Sequence, residues 1–118
     1  MFACLDIADG NIDLYSNGYK QYAGNLQNLN KKGLTAYDGK YIIVGSTTEN
    51  VIRICDEGIY DITIENLIID VQAKNDTCAF IANRGNCATG CYVKLNIEGE
   101  NYLKGKSAPR VRLYKCNS

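Results

Sequence analysis

The stretch Ile59–Val71 is the part of the chain that most narrows its fold. Ile62 and Ile64 alternate with Asp61, Thr63 and Glu65, which gives an extended segment one apolar and one polar face. At Glu65-Asn66 the alternation slips by one residue, and Leu67, Ile69 and Val71 then resume it with Asp70 facing out. Such a slip between two short strands is a corner with almost no loop. Asn suits a corner, because its carboxamide can bond backbone groups and, where the corner repeats, copies of itself above and below. A strand, an Asn corner and another strand is how one coil of a parallel β-helix is written.

The rest of the chain supplies similar pieces. Asn11–Ser16 alternates Ile12 and Leu14 with Asn11, Asp13 and Tyr15, turns at Asn17-Gly18, and leads to a short strand over Tyr19–Ala23. Residues 24–40 are polar and irregular and read as an insertion, in which the spacing of Leu26 and Leu29 allows a short helix over Asn25–Lys32. Further strands are expected at Tyr41–Val44, Val51–Cys55, Cys78–Ala82, Val93–Ile97 and Val111–Cys116, with polar turns and loops between them, among them Asn83–Gly90. Ile62-Thr63-Ile64, a corner and Leu67 compare with Val93–Ile97, a corner and Leu103. Short β-branched strands at similar intervals, without helical periodicity, point to stacked coils in a single domain over residues 1–118. An antiparallel β-sandwich uses the same materials and is the alternative.

The chain contains no His, which removes the commonest general base, the commonest zinc ligand and every Ser/His or Cys/His mechanism. Thirteen Lys and Arg balance thirteen Asp and Glu, so there is no electrostatic footprint for nucleic acid or an anionic membrane, and neither partner is expected. No stretch approaches a membrane span. Met1–Gly10 carries Asp6 and Asp9 and lacks a basic start or apolar run, so no signal peptide is expected.

Several segments resemble a known family. Gly10-Asn11-Ile12-Asp13-Leu14 with Gly18-Tyr19 is similar to an opening coil, and Tyr41–Ile52 to the next. Asp61–Val71 is similar to a core coil, and Thr77–Ile81 and Leu95–Gly105 follow in the same order. The family is that of bacterial carbohydrate-binding domains built as a right-handed parallel β-helix, common in clostridial secreted proteins. The resemblance implies an all-β, single-stranded right-handed parallel β-helix of few coils, a secreted or cell-surface location, and polysaccharide binding that can depend on calcium. Residues 24–40 have no close counterpart, and Ser107–Arg110 leads to a different ending, as in a short or truncated member.

Three groups of residues carry candidate chemistry. Aromatic faces stack on the apolar C–H faces of sugar rings. Of nine tyrosines, Tyr15, Tyr60, Tyr92 and Tyr102 are the expected sugar-stacking platforms. Asp61, Glu65, Asp70 and Glu98 are candidate calcium ligands, since outward acids on stacked coils approach within about 5 Å of the copy above. The six cysteines are Cys4, Cys55, Cys78, Cys87, Cys91 and Cys116. They allow buried free thiols, a disulfide involving Cys87 or Cys91, or a zinc site that would lack a second ligand pair. The resulting expectation is non-catalytic polysaccharide binding, with calcium as a candidate bridging ion. The alternatives are a structural module that self-associates through its coil ends into a homo-oligomer, and a polysaccharide lyase using Arg53, Arg84, Arg110 or Arg112 without a recognisable motif.

Overall fold

The computed structural model describes residues 2–73, 78–82 and 91–105. In chain order the strands are β1 (Phe2–Asp6), β2 (Asn11–Tyr15), β3 (Gly18–Tyr22) and β4 (Thr35–Ala36). Then come β5 (Lys40–Val44), β6 (Ser46–Thr47), β7 (Ile52–Ile54) and β8 (Gly58–Glu65). The last are β9 (Ile68–Val71), β10 (Phe80–Ala82), β11 (Cys91–Glu98) and β12 (Tyr102–Gly105). The fold is all-β, with one 3-10 turn at Ile7–Asp9 and no α-helix among the described residues. The expected loop Asn83–Gly90, the expected strand Val111–Cys116, and Cys87 and Cys116 lie outside those residues.

Three sheets form, in the orders β1-β5-β8-β11, β10-β7-β2-β3-β4 and β12-β9-β6. All pairings are parallel except β2 with β3 and β3 with β4, so parallel and antiparallel pairing are mixed. β5, β6 and β7 fall in the first, third and second sheets; β8, β9 and β10 repeat that order, and β11 and β12 begin it again. From β5 onward each connection moves on to another sheet instead of doubling back, which is why strands distant in sequence pair in parallel. A wholly antiparallel sandwich is therefore not what forms. Among the described residues the one tight hairpin, β2 to β3, turns at Ser16-Asn17, a residue earlier than the Asn17-Gly18 signal, with Tyr15 opposite Gly18.

Alternation places one set of side chains inside, where parallel register lines them into columns. Leu5, Ile43 and Ile64 stack in the first sheet, Ile12, Ile52 and Phe80 in the second, and all are buried. Leu67, Ile69 and Val71, on the far side of the slip, are buried as well. Each such side chain contributes roughly 1.5–3 kcal/mol through apolar area removed from water.

The slip at Glu65-Asn66 is a corner. Asn66 takes a left-handed φ of 49°, which Asn tolerates better than most residues, and Gly45 and Gly99 occupy the same place after β5 and β11. Asparagine does not stack on itself there. The Asn66 carboxamide instead accepts from the Glu100 backbone N–H at 3.0 Å. Other asparagines bridge neighbouring passes of the chain: Leu67 N donates to Asn101 Oδ1 at 2.7 Å, Val51 N to Asn11 Oδ1 at 3.0 Å, and Asn50 Nδ2 to the Ile7 carbonyl at 2.8 Å.

The helix allowed over Asn25–Lys32 does not form. Leu26 is exposed, so the segment has no apolar stripe to bury, and Asn30 Oδ1 takes the Lys32 backbone N–H at 3.0 Å in place of a helical bond. Instead, the segment lies over the outer side of the second sheet, where it is held by polar contacts with β2, β3 and β7.

Candidate binding faces

On the outer side of the first sheet, β8 and β11 set Ile59 beside Tyr92, Asp61 beside Lys94, Thr63 beside Asn96 and Glu65 beside Glu98. Neighbouring strands are ~4.8 Å apart, so each pair is one contact surface. Ile59 is 83% exposed and Tyr92 62%. On the outer side of the third sheet, β9 and β12 repeat the motif: Ile68 beside Tyr102, both exposed, and Asp70 beside Lys104. In both places an accessible aromatic ring and an aliphatic neighbour lie two residues from an acidic and a basic side chain. Asn96 Nδ2 donates to Asp61 Oδ1 at 2.9 Å, and Gln72 Nε2 to Asp70 Oδ1 at 2.8 Å, so each acid is oriented by an amide.

Two of the four expected platforms are not accessible. Tyr60 is 3% exposed, because it shares parity with Ile62 and Ile64 and lies inside beside Val93; the exposed neighbour is Ile59. Its hydroxyl bonds the Asp56 carbonyl at 2.9 Å and the Asp56 carboxylate. Tyr15, 4% exposed, does face outward, but the segment after β3 covers it and Asn30 N donates to its hydroxyl at 3.0 Å. Burial, and next the neighbouring Cys55, push the Tyr15 phenol up to about 12.

The four expected calcium ligands do not converge. Glu65 and Glu98 are side by side on the first sheet, Asp61 lies further along the same sheet, and Asp70 is on the third. Among the described residues no group of three or more His, Cys, Asp or Glu is placed to hold a metal ion. Cys55 is buried, and burial pushes its thiol up to about 12, which leaves it unreactive; Cys78 is buried too, and Cys4 is exposed.

A buried polar constellation lies on the second sheet, and of its members only Arg53 is among the expected candidates, as a residue of the lyase alternative. Asp13 on β2 is 2% exposed, and Arg53, its in-register neighbour on β7, donates Nε to Oδ1 at 3.0 Å and Nη2 to Oδ2 at 2.8 Å. The Tyr22 hydroxyl donates to Asp13 Oδ2 at 2.6 Å. Burial opposes the Arg53 charge, but the Asp13 bonds and charge outweigh it, so the guanidinium is held above its usual range. Burial, and then the bond to Asp13, raise the Tyr22 phenol and keep it a neutral donor. The sequence does carry a signal for this pair: Ile12-Asp13-Leu14 and Ile52-Arg53-Ile54 are the same strand pattern with opposite charges at the centre.

Asp56 is a second anchor. It accepts from Ser16 N at 2.7 Å and Ser16 Oγ at 3.0 Å, from the Tyr60 hydroxyl, and pairs with Lys31 at 3.1 Å. Burial would raise its pKa, but these bonds prevail and hold it below the ordinary carboxylate value. A depressed folded-state pKa stabilises above the unfolded value and is lost as the carboxylate protonates. Stability is therefore expected to fall as pH drops below about 4, and the fall in urea midpoint between pH 7 and pH 3 should be smaller in Asp56→Asn than in the parent. Equal falls would show that Asp56 does not carry the effect.

No family model, no curated protein and no solved structure matches this chain.

Proposed function

We propose that the chain is a non-catalytic polysaccharide-binding module, and that its three sheets are the walls of a short right-handed parallel β-helix. The parallel pairing and the repeated order in which strands visit the sheets support the architecture. The function rests on one observation, the two exposed Ile–Tyr pairs, Ile59 with Tyr92 and Ile68 with Tyr102. A sugar chain on either face would stack on the ring while the adjacent acidic, amide and basic groups bond its hydroxyls. Calcium enters this reading as a bridge between an acidic glycan and the Glu65–Glu98 pair.

The test is a panel of soluble and insoluble glycans, including cellulose and polygalacturonate, with calcium and then with EDTA. Tyr92→Ala and Tyr102→Ala are each expected to weaken binding about tenfold, a loss of about 1.4 kcal/mol. Retention abolished by EDTA would support the bridging role of Glu65 and Glu98, and retention indifferent to EDTA would leave the tyrosines as the site. Absence of retention on every glycan would remove the reading.

Self-association is a second reading, favoured by Ile97. It continues the inward column of Leu5, Ile43 and Ile64, yet it is 61% exposed on β11, an edge strand of the first sheet among the described residues. Light scattering that finds a monomer at high concentration would exclude it.

A further inference from the structure

Every residue of β2 is buried, including the outward Asn11, Asp13 and Tyr15. The outward side is covered by the segment between β3 and β4, which has no strand or helix of its own. This segment meets the face with two donors and three acceptors, one of them the Gly24 carbonyl, which takes Asn11 Nδ2 at 2.8 Å. Gln27 N donates to the Tyr22 hydroxyl at 3.1 Å and Asn30 N to the Tyr15 hydroxyl at 3.0 Å. Arg53 Nη2 donates to the Gln27 carbonyl at 2.7 Å and Lys20 Nζ to Asn30 Oδ1 at 2.8 Å. One further tie, Lys31 to Asp56, closes the far end. Most of these bonds are exposed, so water replaces each when it breaks and its net contribution is small.

The ends of the segment are suited to movement. Gly24 and Gly33 have φ of 92° and 76°, and nothing lies within 4 Å of where a Cβ would sit on either. Between them the sequence is rich in amides, Asn25, Gln27, Asn28 and Asn30, with the exposed Leu26 making no apolar anchor.

We propose that residues 24–33 are a hinged strap occupying, in place of a ligand, a third face for a neutral polyhydroxyl chain, formed by Tyr15, Lys20, Tyr22 and Arg53. The inference rests on the polysaccharide reading and adds to it a covered site. A ligand that displaces the strap must donate to two phenols and accept from an ammonium and a guanidinium. Hydroxyl groups do both, whereas a carboxylate or phosphate only accepts. Arg53 is already neutralised by Asp13, so the face has little unspent charge for an anion. The two tyrosines supply the rings on which a sugar stacks.

β4 pairs antiparallel with the start of β3, Gly18 with Ala36 and Tyr19 with Thr35, so a chain in which a short Asn-Gly linker replaces Asn25–Lys32 can still turn beyond Tyr22 and return along β3 to β4. A milder variant, Asn30→Ala with Lys31→Ala, removes the ties to Lys20 and Asp56 while leaving the loop in place. Calorimetric titration with cellohexaose and xylohexaose, and with trigalacturonate as the anionic comparison, should show neutral oligosaccharide binding at least tenfold tighter to the excised chain than to the parent. The double variant should fall between them. Hydrogen exchange at Ile12 and Cys55, whose amides bond Val51 and Leu14, reports whether the sheets remain intact. If the excised chain fails to fold, the double variant decides alone. A gain that survives Tyr92→Ala and Tyr102→Ala supports the strap independently of the outer faces. Binding that those two substitutions abolish equally in every form would overturn the strap and leave the outer faces standing. Equal affinity in folded parent and variants, or no binding in any of them, would also overturn it.

Discussion

Arg53→Ala is expected to destabilise the protein by about 3–5 kcal/mol, the usual cost of leaving one partner of a buried ion pair behind. Asp13 would keep its bond from Tyr22 but lose both guanidinium bonds, in a position where water reaches only 2% of it. Against a total stability of about 5–15 kcal/mol that is a large fraction, to be measured by urea unfolding at pH 7. Arg53→Lys should lie between parent and Ala, because an ammonium restores charge without the two-pronged geometry. Asp13→Leu with Arg53→Met should recover most of the loss, since replacing both charges by apolar groups leaves none unpaired. A double variant as unstable as Arg53→Ala would show that the loss comes from packing of the arginine stem and not from the orphaned carboxylate.

Gly10→Ala is the second large expected effect. Gly10 has φ of 149°, and an added Cβ would sit 2.6 Å from the carbonyl carbon and oxygen of Tyr22. Those are backbone atoms of the partner strand, with Asn11 paired to Tyr22, so no side-chain rotation relieves the contact. Strain of about 1–3 kcal/mol in the backbone adds to about 1–3 kcal/mol for overpacking. The expected outcome is a lowered unfolding midpoint, with faster hydrogen exchange where β2 pairs with β3. Gly24→Ala is the comparison, because it also has positive φ but open space around it. It should cost only about 1 kcal/mol. Equal losses at the two positions would mean that dihedral strain alone is at work.

How much of this could be read from residues alone depends on the kind of information each element uses. The columns through Ile43 and Ile64, and through Ile12 and Ile52, follow from alternation, and so does the corner after Glu65. Applied consistently, the same parity also buries Tyr60 and exposes Ile59. Tyr15 is different: its strand does turn it outward, and only the later segment, arriving over β2, covers it. β6 is just Ser46-Thr47, with no apolar pattern, and is a strand because β9 offers it a hydrogen-bonding edge. β1 is likewise recruited by the edge of β5. The matching triplets Ile12-Asp13-Leu14 and Ile52-Arg53-Ile54 offer Asp13 and Arg53 as partners, but only the parallel register of β2 and β7 sets them side by side.

The outer Ile–Tyr pairs are each assembled from two separate passes of the chain: Ile59 and Tyr92 meet only where β11 lies on β8, and Ile68 and Tyr102 only where β12 lies on β9. A ligand touching both members of a pair recognises the stacked arrangement and not either strand alone. Whatever free energy it gains from that arrangement it returns to it, so occupancy and stacking must strengthen one another. The surface that reads the ligand would then also be a clasp across the seam between passes.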